Sequence, residues 1–266
     1  MHSAPDGNLM LLLFTSQNIA SRNIAQKLID EHGFQKKEEN IWEKDGIKLI
    51  ETNAPSVLDV PTDFDTDCLI ILSTHKSKSE GQVLTAHVPG NWNNADFGGE
   101  RRTLNIAHAS MLKTLAKEIK KQADLIGWKF SLEADHHGPT CNVPIIFVEI
   151  GNNEEQWKNE KAASAMANAV ASAIKHDEEY ETVFGVGGGH YTRAFTKIAL
   201  ETELAVGHIA PKYVVDDIDE DTFRQAIEKN VEKLSKVLIS KEEVNAKQRE
   251  KIRELCKKFS VDCEII

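Results

Sequence analysis

Seven of the ten histidines fall in three stretches rich in glycine and hydroxyl side chains. Residues 73–92 hold His75 and His87, with His108 shortly after. The second stretch is Asp135-His136-His137-Gly138-Pro139-Thr140, and the third is Gly187-Gly188-Gly189-His190, running on to Gly207-His208. Imidazole is the side chain most readily recruited near neutral pH for proton transfer or metal binding. Flanking Gly, Pro, Ser and Thr place these histidines on loops, where functional groups concentrate. The chemistry such a set points to is hydrolysis.

Each stretch offers its own possibilities. Around His75, the residues Lys76, Ser77, Lys78, Ser79 and Gly81 suit capture of a phosphate or carboxylate, although the same composition also describes a polar surface turn. The Walker order G-x-x-x-x-G-K-[ST] is absent. Adjacent His136 and His137 point apart on an extended segment, and Gly138-Pro139 predicts a turn that changes this. Glu133 or Asp135 could orient one of the imidazoles. Gly187, Gly188 and Gly189 allow close backbone approach or donation of N–H groups to an oxyanion. They lack the spacing and acidic partner of a dinucleotide loop. Arg193 and Thr196 share a face if a helix starts beyond His190.

The elements that must position these loops alternate between strands and helices. Residues 9–14 read as a buried strand, followed by a helix over 18–31 that Ser16 can cap and Gly33 can end. Asp45-Gly46 signals a hairpin between 41–42 and 47–51. Strands are expected at 68–72, 82–88, 129–134, 144–150, 182–186 and 205–209, and long helices at 104–126 and 154–175. Three strands deliver His-bearing loops at their ends, and such ends gather ligands in open α/β sheets. The C-terminal part reads as a helix over 222–238, a capping box at Ser240 and Glu243 opening another, and a final edge strand at 261–266. No Pro/Ser/Gly linker divides the 266 residues. The expectation is one α/β domain over 1–266, with a mixed, largely parallel central sheet flanked by helices. Residues 1–8 form a loose tail and 214–266 a helical segment packed on the domain.

Composition narrows the function classes. The apolar run 9–14 is too short to span a bilayer and lacks a basic lead, so a cytoplasmic protein without a membrane partner is expected. Cys68, Cys141, Cys256 and Cys263 form no C-x-x-C pair, which excludes a zinc ribbon; only Cys141 lies in a His-rich loop. A net charge of −10 argues against a protein that coats nucleic acid. Yet residues 67–110 balance four basic against four acidic groups, and 185–213 hold three against two. The His-bearing loops are therefore the least acidic part of an acidic body. Lys76, Lys78, Arg101, Arg102, Arg193, Lys197 and Lys212 could meet a few phosphates there, or simply be solvated.

Longer motifs carry a resemblance. These are Ser73-Thr74-His75-Lys76-Ser77, Leu84-Thr85-Ala86-His87-Val88-Pro89-Gly90-Asn91-Trp92, His136-His137-Gly138-Pro139-Thr140, Gly187-Gly188-Gly189-His190-Tyr191 with Phe195-Thr196, and Gly207-His208-Ile209 with Lys212-Tyr213. Together the chain resembles the archaeal and plant type of D-aminoacyl-tRNA deacylase, from Leu12 to about Tyr213. The resemblance implies hydrolysis of the ester joining a D-amino acid to the tRNA 3′ end, and zinc as cofactor. It also implies an α/β fold similar to the peptidyl-tRNA hydrolase and nucleoside phosphorylase architectures. On that basis His75, His87, His136 and His208 are expected to bind metal. His137, His190 and Glu133 would handle protons, and Gly188 and Gly189 would hold the oxyanion. Lys76, Ser77, Thr85, Asn91, Thr140, Arg193, Thr196 and Lys212 are expected to contact the tRNA substrate, in a monomer or homodimer. Roles within the histidine pool stay interchangeable at this stage. Two rival readings are a metal-independent esterase with His190 as base, and a non-catalytic module that binds RNA 3′ ends.

Overall fold

The apolar runs assemble into sheets with two unlike faces. The computed structural model describes residues 9–77 and 81–266; the expected tail 1–8, with Lys78 and Ser79, lies outside the described residues. Strands β1 (Met10–Thr15), β2 (Gln35–Glu38), β3 (Ile41–Lys44), β4 (Ile47–Thr52), β5 (Cys68–Thr74), β6 (Val83–His87), β9 (Lys129–Leu132) and β10 (Ile145–Gly151) form one eight-stranded sheet. Its order is β2-β3-β4-β1-β5-β10-β6-β9. Pairing is parallel from β4 through β1 and β5 to β10, and Asp45-Gly46 closes the expected β3–β4 hairpin. Strand β6 then runs antiparallel to β10 and carries β9 parallel beside it. Strands β7 (Gly90–Asn91) and β8 (Thr103–Leu104) make a short ribbon.

A second sheet of four parallel strands has the order β12-β11-β13-β14, from β11 (Glu181–Val186), β12 (Leu204–Ala210), β13 (Leu234–Ile239) and β14 (Asp262–Ile265). The helices are α1 (Ile19–His32), α2 (Ala109–Leu125), α3 (Glu154–Trp157), α4 (Glu160–Ala173), α5 (Arg193–Glu201), α6 (Glu220–Glu228) and α7 (Ala246–Phe259). None is long and apolar enough to cross a membrane.

Alternation of side chains along a strand decides what each face of the large sheet carries. Leu12, Ile70, Leu72, Leu84, Ala86, Ile146 and Val148 point to the side covered by α1, α2 and α4, forming one apolar cluster with them. The seven alanines of α4 are all buried and let it pack closely beside α1 and α2. The opposite face holds Leu11, Leu13, Ile71 and Phe147, and beyond these turns polar with Ser73, Thr85, His87 and Glu149. The small sheet packs between α5 on one side and α6 and α7 on the other.

Several boundaries differ from the sequence expectation. Asn18, not Ser16, caps α1 through Ser21 N–H, while Gly33 ends it at φ 77° as expected. Helix α2 begins at Ala109, because Leu104 pairs in β8 and residue 107 bridges to Asn230. The expected helix over 154–175 is broken at Lys158, where Asn159 caps a new start. Residues 214–266 are not a purely helical segment. Leu234, Val237, Leu238 and Ile239 belong to β13, whose pairing with β11 overrides their helix-compatible spacing. Ser240 donates its N–H to Val186 O and extends that strand; the capping box lies instead at Asn245 and Gln248.

A buried lysine and a half-buried glutamate fasten the layers. Lys113, 1% exposed, donates its three ammonium protons to the carbonyls of Ala199, Thr202 and Leu204, closing the end of α5. Glu232 accepts from Ala109 N–H (3.1 Å), Ser110 N–H (2.7 Å) and His108 Nδ1 (2.9 Å) at the N-terminus of α2. Burial works against ionisation of Glu232, but His108 and Ser110 outweigh it and bring its pKa down to about 2. A folded pKa below the unfolded value of about 4.3 adds stability above that pH and loses it as pH falls toward the folded value. Glu232→Gln should therefore cost about 2 kcal/mol at neutral pH in urea denaturation. The difference from the parent should shrink as pH drops below about 4. Equal denaturation midpoints at neutral pH would contradict this.

Candidate active site

The polar part of the large sheet's open face is where the histidines gather. His87 ends β6 and Glu133 follows β9; the two strands are neighbours, so both side chains project from the same face. Glu149 lies on the adjoining strand, opposite Thr85 and Ser73. His75 follows β5, with its N–H on Ile150 O and its own carbonyl held by Trp157 Nε1 at 3.0 Å. Because β6 and β9 run against β10, these loops do not leave one common sheet edge as the sequence implied. They meet over a face, at the seam with the small sheet. There Ala134 N–H donates to His190 O, and Asp135 N–H donates to Ile209 O.

Glu133 is the hub. It is 1% exposed and has four imidazoles around it. His75 Nδ1 lies 3.0 Å from one oxygen; His190 Nε2 (3.1 Å), His136 Nε2 (3.5 Å) and His87 Nδ1 (3.7 Å) lie around the other. The contacts are at ion-pair range but poorly aligned. Both Glu133 oxygens and His87 Nδ1 are thus buried without a hydrogen-bond partner. Burial alone would raise the Glu133 pKa, but His190 and His75 hold it well below the carboxylate range. Burial and the nearby Glu133 charge push Glu149 the other way. His75 works against burial too: Glu133 and Glu149 raise its pKa to about 11. Its Nε2 meets the Tyr191 hydroxyl at 2.9 Å, and that hydroxyl donates to Asn152 at 3.0 Å.

The tandem pair is set by the backbone. His136 Nδ1 donates to Ala134 O at 2.8 Å, and His137 Nδ1 to Gly138 O. Those bonds fix the tautomers, so each Nε2 carries a lone pair. His137 takes φ 47°, a left-handed conformation uncommon outside glycine, and so turns its ring to the same side as its neighbour. Its Nε2 lies 3.1 Å from His87 Nε2. Burial keeps His87, His136 and His137 neutral, His137 with a pKa of about 4. Among the described residues three overlapping groups have donor atoms mutually within 4.8 Å, the spacing a metal ion needs: His87, His136 and His137; His75, Glu133 and His190; and His87, Glu133 and Glu149.

The cluster opens into a cavity of about 960 Å³. Of the residues expected to contact substrate, Lys76, Ser77 and Asn91 line it, together with His75, His136, His137 and His190. Other expected residues lie elsewhere. His208 is fully buried, shares a proton with Asp135 at 2.7 Å and contacts Lys229 O at 2.9 Å, so neither ring nitrogen is left for a metal. Gly188 and Gly189 do not line the cavity: Gly188 faces Thr192 and Glu243, and its carbonyl accepts from Lys212 N–H. Thr196 holds Leu132 N–H, Thr140 holds Glu100 N–H, and Arg193 opens α5 on the exposed surface. Thr85 is fully buried beside Glu149, and Lys212 is exposed outside the cavity wall. Cys141 is buried with its thiol on Thr62 O, a structural role. Glu149 and Tyr191 are the residues the sequence reading missed. A lone carboxylate inside the apolar run 144–150 was the available signal, since such a group is buried only with partners.

The chain matches over residues 62–264 the sequence profile of a family described as D-aminoacyl-tRNA deacylase. It is 31% identical over 270 residues to the D-aminoacyl-tRNA deacylase of Thermococcus kodakarensis, spanning 96% of this chain and 98% of that one. With the protein of that name from Saccharolobus islandicus it shares 38% identity over 211 residues, 77% of this chain and 86% of the other. The crystal structure of a conserved protein of unknown function is similar with a TM-score of 0.89 at 26% identity, over 97% of this chain and 95% of that chain.

A close backbone contact supports the tandem histidines. A Cβ on Gly138 would lie 2.3 Å from Gly99 N, so no side chain fits without moving one loop. Gly138→Ala should destabilise the fold by about 1–3 kcal/mol in chemical denaturation. An unchanged midpoint would mean that the two loops are free to part.

Proposed function

The chain belongs to the D-aminoacyl-tRNA deacylase family, and from that premise we propose that the Glu133 cluster is the centre that hydrolyses the ester between a D-amino acid and the tRNA 3′ end. The observation that carries this reading is a buried, ionised carboxylate, ringed by imidazoles at 3.0–3.7 Å, beside a large cavity. In this reading water adds to the ester carbonyl and gives its proton to the Glu133–His190 pair. The same proton returns to the ribose oxygen as the C–O bond breaks, releasing the D-amino acid and free tRNA. His190 is the imidazole placed for that transfer, half-exposed to the cavity and 3.1 Å from Glu133. Tyr191 and Glu149 hold His75 from both sides and keep it aligned on Glu133. Lys76 and Asn91 line the cavity; in this reading the Lys76 ammonium meets a substrate phosphate and Asn91 Oδ1 accepts from a sugar hydroxyl, its Nδ2 being bound to Gly98 O and Glu100 O.

The residues also fit zinc, on the strength of the orphaned oxygens of Glu133 and the orphaned Nδ1 of His87. His87, His136 and His137 would hold the ion as neutral imidazoles, the tautomers of His136 and His137 being fixed by their Nδ1 bonds. Glu133 and His190 would be further donors, since both nitrogens of His75 are engaged. Bound zinc supplies Lewis-acid activation of water and of the ester carbonyl. A metal-free esterase is the second reading, favoured by the direct Glu133–His190 contact. The cytoplasm, where aminoacyl-tRNA is made and used, is the proposed location.

The test is hydrolysis of matched D- and L-tyrosyl-tRNA. The D form should be deacylated and the L form spared. His137→Ala, His190→Ala and Glu133→Gln should each lose about 10²–10⁴-fold in rate without unfolding, as judged by circular dichroism. Near-parent rates in the histidine variants would sink the assignment. Exhaustive chelation should abolish activity and added zinc restore it. Full activity after chelation, with no zinc by elemental analysis, would favour the metal-free reading.

A further inference from the structure

Six large apolar side chains are exposed among the described residues, and two of them are aromatic: Phe97 at 69% and Tyr213 at 59%. Both line the cavity that holds the histidine cluster, whereas Leu9, Leu125, Val231 and Ile266 do not. Scattered exposed apolar residues are ordinary, but both exposed aromatics on the rim of one cavity are a different pattern.

The rings are bare while their backbones are fastened. Phe97 O accepts from Gly138 N–H at 3.0 Å, and Asn91 Nδ2 donates to the carbonyls of Gly98 and Glu100 at 2.9 and 3.1 Å. On the other wall, Lys212 N–H donates to Gly188 O immediately before Tyr213. Asn93 Nδ2 ties the first loop to Asp217 in the second at 2.8 Å, so both segments border one opening. A ring held out over a cavity by a fixed loop gains nothing from the core; it offers a flat apolar face to what enters. The cavity, about 960 Å³, is at the upper end of small-ligand pockets (about 300–1,000 Å³), with room for more than an amino acid ester.

We propose that Phe97 and Tyr213 form a stacking platform for the unpaired bases at the tRNA 3′ end, above all the terminal adenine, and so place the ribose ester beside Glu133. The inference rests on the deacylase reading for its ligand. Every tRNA ends in the same unpaired CCA, so a sequence-tolerant aromatic surface is the suitable recognition. Stacking of one base on an aromatic side chain is worth about 1–3 kcal/mol, or roughly 5- to 150-fold in affinity. These are positioning residues: they touch the nucleotide and leave the bond-breaking groups unchanged.

The probe is an uncharged RNA minihelix ending in single-stranded CCA, with 2-aminopurine as the 3′-terminal base. Binding to the parent protein should quench its fluorescence, the signature of stacking. Phe97→Ala with Tyr213→Ala should lose the quench and weaken binding at least about 10-fold, whereas Phe97→Trp with Tyr213→Trp should retain both. An abasic 3′ terminus should weaken binding to the parent and have no further effect on the alanine pair. On D-tyrosyl-tRNA the alanine pair should raise KM more than it lowers kcat. Unchanged affinity and quench in the alanine pair, or no quench with the parent, would overturn the platform. A parent that quenches the probe but does not hydrolyse D-tyrosyl-tRNA would overturn the deacylase reading and leave the platform standing.

Discussion

The burial of Glu133 is the constraint on which the rest of the arrangement depends. A carboxylate removed from water costs several kcal/mol unless charge or hydrogen bonds replace its hydration. Here the replacement comes from His190 and His75, the two nearest imidazoles, while neutral His87 and His136 complete the enclosure. The four lie on separate segments: the end of β5, the end of β6, the turn after β9 and the loop after β11. All four must arrive together, so the register of two sheets is tied to one side chain. A one-residue slip of β6 would send His87 to the helix-covered face and bring Ala86 to the site. The seam contacts of Ala134 with His190 and Asp135 with Ile209 hold the two sheets at the spacing Glu133 requires.

The same strands build the core and the site, and period-2 alternation is what allows it. Val148 and Ile150 bury themselves against the helices, while Glu149 between them faces the cluster. Ala86 packs inward and His87 outward. The open face is apolar at one end, around Ile71 and Phe147, and polar at the other. His87 stacks on Phe147 at 5.5 Å where the two regimes meet. The apolar flank excludes water from the buried imidazoles and so keeps His87, His136 and His137 neutral, with lone pairs available.

How much of this is legible in the sequence depends on whether a residue's local neighbours reveal its role. The histidine loops are legible because Gly138-Pro139 and the glycine run mark turns beside them. The strands of the large sheet are legible as apolar runs. Glu149 is obscured because strands covered on both faces read as continuous apolar segments, which hides an alternating position. His208 looks equivalent to the others, and only the tertiary partners Asp135 and Lys229 reveal that both nitrogens are engaged. Leu234 to Ile239 carries a spacing that fits either helix or strand, and pairing with β11 decides it. The left-handed His137 is likewise invisible, since its residue type does not by itself signal a φ of 47°.

That packing links the cavity rim to the chemistry. Gly99 and Gly138 approach so closely that the loop bearing Phe97 and the turn bearing His137 pack backbone against backbone. A hydrogen bond from Gly138 N–H to Phe97 O crosses the same contact. His137 meets His87, and His87 lies against Glu133, so the chain of contacts from rim to hub has three steps, each of a few ångströms. A substrate gripped at the rim is thus positioned against the hub by stiff backbone rather than by long flexible side chains. For an ester that is already activated, most of the rate advantage available to a protein lies in such positioning. The two glycines, with no functional group of their own, set the distance over which the site can act.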